Sequence, residues 1–215
     1  MRSPAVTRVE EETVHVVDDD EAFRDSLVWL IEAADHRVRA HASAEDFLAA
    51  CRPDMAGCLI VDVRMPGLSG LELNDRLHEM GIDLPTIVVT GHGDVPMAVE
   101  AFRKGAVDFV EKPLDDAYVL SRIDLCLARD RERRRLEGRN RTLEARLATL
   151  SAREREVMDC VVAGKLNKQI ADILDISIKT VEVHRSRVME KMRVTTVAEL
   201  VRISLEVGAA HRNGG

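Results

Sequence analysis

Apolar positions in the first half of the chain follow two alternating rhythms. Short runs that are apolar almost throughout, Thr13–Val17, Cys58–Val61 and Thr86–Thr90, read as buried strands. Between them, apolar residues return every three or four positions, most clearly over Glu21–Ala34 through Leu27, Leu30 and Ile31. Arg37–His41 and Asp108–Glu111 complete five predicted strands. Ala44–Cys51, Leu71–Met80, Val95–Lys104 and a helix starting near Asp115 complete the helices. Apolar strands alternating with helices imply an α/β fold, a doubly wound five-stranded parallel sheet with right-handed crossovers. The ligand site of such a sheet lies at the carboxyl ends of its strands.

From Asp115 to Leu150 there is no proline, and only Gly138 interrupts helix-forming residues. Leu136, Leu143, Leu147 and Leu150 recur at heptad-like spacing, which leaves two readings open: a short pairing seam, or a surface helix whose leucines dock on its own domains. Beyond it the rhythm is helical only. Ser151-Ala152-Arg153-Glu154 is a capping box opening a helix that stops at Gly164. Lys168–Leu174 is a second helix, and Asp175-Ile176-Ser177 links it to a third that reaches Met192. Thr196-Val197-Ala198-Glu199 caps a fourth, predicted to end before Gly208. The pattern predicts an all-α four-helix domain with a helix-turn-helix.

The predicted domains are therefore 13–128, a helical linker 129–149, and 150–208, with 1–12 and 209–215 as flexible tails. A length of 215 residues suits two domains. No apolar run approaches the roughly 20 residues needed to span a bilayer, none follows Met1, and the four cysteines lack ligand spacing. A cytoplasmic protein with reduced thiols and no membrane partner is expected. The net charge of −7 hides a polarity: residues 1–128 carry 12 Lys+Arg against 25 Asp+Glu, whereas 129–150 carry 8 against 4. An acidic surface repels phosphate backbones, so any nucleic-acid contact belongs to the second half.

Three carboxylates fall at predicted strand ends: Asp18 and Asp19 after the first strand, Asp62 after the third. Gathered on one edge they repel, and a hard divalent cation such as Mg²⁺ relieves them. Thr90 ends the fourth strand with a hydroxyl and Lys112 follows the fifth with an ammonium. These groups suit a phosphoryl site in which Asp62 is the nucleophile and forms an acyl phosphate. Each residue alone is as well explained by capping or solvation; the five together on one edge are not.

With these residues, Val17-Asp18-Asp19, Asp62-Val63-Arg64-Met65-Pro66-Gly67, Thr90-Gly91-His92-Gly93-Asp94 and Glu111-Lys112-Pro113, the first half resembles the CheY-like receiver domains of two-component response regulators. The resemblance implies Mg²⁺ held by Asp18, Asp19, Asp62 and the Arg64 backbone carbonyl, a sensor histidine kinase as phosphoryl donor, and a cis Lys112-Pro113 bond. It also implies a switch in which Thr90 approaches the phosphoryl group and Phe109 swings inward, altering a dimer face that includes Val99 and Arg103. An ordinary core aromatic is the other reading of Phe109. His92, in a glycine-flanked loop, is expected to be mobile and non-catalytic.

Residues 150–208 resemble the LuxR-type output domain of the FixJ/NarL branch through Leu150–Glu154, Asn167-Lys168-Gln169-Ile170-Ala171 and Thr180-Val181-Glu182-Val183-His184-Arg185. The third helix has a core stripe at Val181, Val188 and Met192, and opposite it stand Lys179, Glu182, Val183, Ser186 and Arg187. Its N-terminal half should enter a major groove, with Glu182, Val183 and Ser186 nearest base edges. Thr180, Arg185, Arg187, Lys191, Asn167 and Lys168 are expected on phosphates. His184 is either packed or a DNA contact. Val197, Leu200, Val201 and Ser204 recur at helical spacing on the fourth helix, where the family pairs two output domains, and some of them must also serve the core. The expected function is a transcriptional response regulator that dimerises on phosphorylation, binds double-stranded promoter DNA, and engages RNA polymerase if it activates. An aspartyl-phosphate phosphohydrolase, with Asp18 and Asp20 two apart, and an output module that binds no DNA are the competing readings.

Overall fold

The structure is a computed structural model that describes residues 11–91, 93 and 95–213. The expected N-terminal tail falls largely outside these residues, as does His92, whereas most of the expected C-terminal tail, 209–213, is helical. The chain forms two compact units dividing at Arg133/Arg134.

The first unit contains β1 (Thr13–Val17), α1 (Glu21–Ala33), β2 (Val38–His41), α2 (Ala44–Ala50), β3 (Gly57–Asp62), α3 (Gly70–Glu79), β4 (Thr86–Thr90), α4 (Val95–Arg103), β5 (Asp108–Glu111) and the start of α5 (Asp116–Ala148). All pairings are parallel, in the order β2-β1-β3-β4-β5. The order reverses between β1 and β3, so the crevice at their carboxyl ends is the topological switch point. Alternate residues of each strand feed two cores. Val17, Leu59, Val61 and Val88 pack with Phe47, Leu73 and Leu77. Val14, Val16, Ile60, Ile87 and Val89 pack with Ile31, Val119 and Ile123. Short polar caps start the helices: Asp20 accepts from the Phe23 amide, Ser43 from Asp46, and Ser69 and Glu72 form a capping box.

Asp130 and His15 are among the polar residues buried in this unit. Asp130 of α5 is fully buried; its carboxylate accepts from the Gly57 amide at 3.0 Å and pairs with Arg133. Gly57 opens β3 at φ +132°, and a Cβ there would lie 1.9 Å from the Thr13 carbonyl, so only glycine fits. His15 of β1 sits 3.4 Å from the His41 ring, against Phe47. Burial, then the charges of His41 and Arg39, lower its pKa to about 4.

The second unit contains the end of α5, then α6 (Ala152–Val162), α7 (Asn167–Leu174), α8 (Ile178–Met192) and α9 (Val197–Asn213). Its core joins Leu143 and Leu150 to Val157, Ile170, Val181, Val188, Met192, Leu200 and Ile203, with Leu147 packed alongside. Of the linker leucines, Leu143, Leu147 and Leu150 dock on their own unit, and Leu136 is exposed. Asp175 takes the left-handed conformation that lets α7 turn sharply into α8. The fourth helix does not end before Gly208 but runs to Asn213: an isolated glycine lowers helix propensity without breaking the backbone hydrogen-bond ladder.

Candidate functional site

The strand ends of the first unit converge as their positions in the sheet require. Asp18 and Asp62 are 2% and 6% exposed, and Thr90 is completely buried. Lys112 Nζ donates to Asp18 Oδ2 at 2.7 Å and lies 2.9 Å from Asp62 Oδ1. The other Asp62 oxygen accepts from the Arg64 amide at 2.6 Å. Asp18 Oδ1 accepts from the Asp20 amide at 2.9 Å, and its carbonyl accepts from Arg24 at 2.7 Å. The Lys112 amide donates to the Thr90 carbonyl at 2.8 Å, joining the ends of β4 and β5, and Lys112-Pro113 is cis as expected.

Burial raises the pKa of Asp18 despite the opposing bonds from Lys112 and Asp20. For Lys112 burial works downward, but the bonds and charges of Asp18 and Asp62 outweigh it and its pKa rises. The ammonium thus lies between two crowded carboxylates and contacts both. Asp19 is exposed at the same strand end. Among the described residues no three His, Cys, Asp or Glu side chains are gathered as a ready metal cage. The donor chemistry nonetheless fits Mg²⁺: two buried carboxylates, an exposed third and a loop carbonyl are hard oxygen ligands, and this ion keeps several waters. One ammonium faces two buried carboxylates, so the site has room for a further positive charge.

Phe109 is half-buried, beside Thr90 and close to Gly93, and packs on the first core. Val99 and Arg103 are exposed on α4. Sequence reasoning missed two further apolar residues of that helix, Val95 (77% exposed) and Phe102 (50%); the Val99-to-Phe102 spacing was the available signal. It also missed Phe23, whose ring lies under Lys112 Nζ.

In the second unit, Lys179, Glu182, Val183, Ser186 and Arg187 are exposed on α8, opposite buried Val181 and Val188. Lys168 is exposed on α7, and Thr180 bonds to the cap Ser177 at 2.8 Å. Arg185 donates to Asn167 Oδ1 at 2.6 Å, a link between α7 and α8. His184 is half-buried, and its buried Nδ1 has no hydrogen-bond partner among the described residues.

Two residues meet partners within their own unit. Lys191 donates to buried Glu154 at 2.6 Å and to the Thr149 carbonyl at 3.0 Å, with its side chain 35% exposed. That bond, followed by the Ser151 amide, lowers the Glu154 pKa to about 2. Leu200 is 1% exposed because α9 turns that face onto α6 and the core. Val197 is exposed, while Val201 and Ser204 are half-buried.

The model of the response regulator receiver domain matches residues 14–124, and that of the bacterial regulatory proteins of the luxR family matches residues 148–204. The chain belongs to the response-regulator family, in its FixJ-like branch with a LuxR-type output domain. The transcriptional regulatory protein FixJ of Azorhizobium caulinodans is 49% identical over 92% of this chain and 93% of its own. FixJ of Rhizobium meliloti is 47% identical over 91% and 96%. Among solved structures, the response regulator StyR superposes with a TM-score of 0.85 at 38% identity, covering 91% of this chain and 99% of that one. Full-length FixJ from B. japonicum gives 0.57 at 42% identity, covering 93% and 98%. This response regulator therefore carries a receiver and a LuxR-type DNA-binding domain, consistent with phosphorylation-dependent control of transcription. Among its described residues no helix is long and apolar enough to cross a membrane.

Proposed function

We propose that Asp62 accepts a phosphoryl group from the phosphohistidine of a sensor histidine kinase, and that the acyl phosphate drives dimerisation and promoter binding. The observation that carries this reading is the Lys112 ammonium bridging two buried carboxylates at 2.7 and 2.9 Å. An Asp62 oxygen attacks phosphorus, the N–P bond breaks, and the imidazole leaves. Lys112 then exchanges Asp62 for a phosphoryl oxygen, Thr90 donates its hydroxyl to another, and Phe109 fills the space vacated by Thr90. Asp18, Asp19, Asp62 and the Arg64 carbonyl would hold Mg²⁺, which supplies positive charge to the equatorial oxygens when bound. Thr90 and Phe109 act by shifting a population rather than as a lever.

The face of α4 carrying Val99 and Arg103 pairs two receivers. In the output domain, Glu182, Val183 and Ser186 read base edges; Lys168, Lys179, Thr180 and Arg187 meet phosphates, with Arg185 held toward the backbone by Asn167. Val197 and Val201 pair the two output domains. The receiver spans 13–128, the linker 129–149 and the output 150–208. The protein acts in the cytoplasm, turns over no small substrate, and contacts RNA polymerase if it activates.

Light scattering of the full chain with and without Mg²⁺ and beryllofluoride, a phosphoryl mimic, tests the proposal. A monomer-to-dimer shift in the wild type that Asp62→Asn abolishes is the expected outcome. An unchanged mass in both removes dimerisation from the mechanism.

A further inference from the structure

The Lys112 ammonium has a third partner. Its Nζ lies 3.8 Å from the centroid of the Phe23 ring, well inside the range at which a cation is held by an aromatic face. An ammonium has three N–H groups; two point at Asp18 and Asp62, and the ring covers the remaining side. The Lys112 side chain is accordingly only 20% exposed.

Phe23 is itself held in place. Its amide donates to the cap Asp20 at 3.1 Å, and the neighbouring Arg24 donates to the Asp18 carbonyl at 2.7 Å. Phe23, itself half-buried, also packs against the core built around Ile31 and Ile123. The first turn of α1 thus wraps the end of β1 and places one aromatic face on the site's own cation.

We propose that Phe23 is a positioning residue for phosphoryl transfer. Its ring holds the Lys112 ammonium over the carboxylate pair and keeps it there while Lys112 trades Asp62 for a phosphoryl oxygen. A hydrogen-bonding partner would have to release and re-form along a fixed direction. Attraction to a π face needs no particular N–H direction, so the cation rotates without losing its anchor. An aliphatic residue of the same bulk would fill the space without holding the charge.

The inference rests on Asp62 being the acceptor, and its test separates the two. In the full chain carrying ¹⁵N-lysine and no phosphodonor, the Lys112 ammonium, assigned by its loss in Lys112→Arg, should give a slowly exchanging signal displaced by the ring current. Phe23→Leu should remove that displacement, speed exchange, and slow phosphorylation by acetyl phosphate about three- to tenfold. Phe23→Trp should keep the displacement and the rate; if Phe23→Leu does not fold, Phe23→Met takes its place. An unchanged Lys112 signal in Phe23→Leu, or equal losses in the Leu and Trp variants, overturns the role of the ring. Phosphate incorporation that persists in Asp62→Asn would instead overturn the acceptor, whatever the ammonium signal does.

Discussion

The two units treat their charged residues in opposite ways. In the receiver the candidate groups are buried and bonded to one another: Asp18, Asp62 and Thr90 are almost inaccessible, and Lys112 spans the carboxylates. In the output domain the candidate DNA contacts Lys179, Glu182, Ser186 and Arg187 stand exposed, while half-buried Lys191 is paired with buried Glu154. The reason is the size of the partner. A phosphoryl group is stabilised by charges preorganised away from water, where they act most strongly. A DNA duplex brings its own charge and needs side chains still free to meet it. Internal pairing therefore points toward function in the first unit and away from it in the second.

The largest effect should come at the proposed acceptor: Asp62→Asn should abolish phosphate incorporation from acetyl phosphate, read by intact mass. Incorporation elsewhere in that variant would break the comparison at its root. Next comes a buried pair of the receiver outside its site. Asp130→Ala leaves the Gly57 amide and Arg133 without their buried carboxylate, and should cost about 3–5 kcal/mol in urea unfolding of the first transition.

Acid should separate the units. His15 has its pKa lowered from 6.5 to about 4 on folding, so the unfolded chain binds the extra proton first. His15's contribution to the receiver's stability is then fully present above pH 6.5 and falls as pH drops toward about 4, by roughly 3 kcal/mol, with the slope reduced in His15→Gln to the smaller part that His41 supplies. Glu154 goes from 4.5 to about 2, so the output unit should hold until about pH 4.5 and weaken only below it. Separate thermal transitions recorded between pH 7 and 3 check both, and a common slope would contradict the assignment.

The smallest effects distinguish exposed from paired cations in the output domain. Arg187→Ala should lower the salt slope of operator binding by about 0.9 and leave stability alone. Lys191→Met should do the reverse, lowering the output unit's melting temperature with the salt slope unchanged. A reduced slope in Lys191→Met would restore it to the DNA surface.

Strand and helix periodicity and strand-end motifs were enough to read the sheet, its five strands and the phosphoryl edge, because both follow from local spacing. A continuous apolar strand must be covered on both faces, and the residue just past its end in a parallel sheet must face the switch-point crevice. Capping boxes at Ser151 and Thr196 were legible for the same reason, since donor and acceptor lie three residues apart. What the chain concealed were pairings across large separations. That Lys191 meets Glu154, that Leu200 turns into the core, that Asp130 reaches Gly57 and that Phe23 lies under Lys112 all depend on where one element packs against another. A lysine on a helix reads the same whether its neighbour is water, a phosphate or a buried glutamate. Sequence by itself determined which residues could carry charge and chemistry; tertiary packing decided which are already paired, because pairing is set by distances of a few ångströms between segments far apart in the chain.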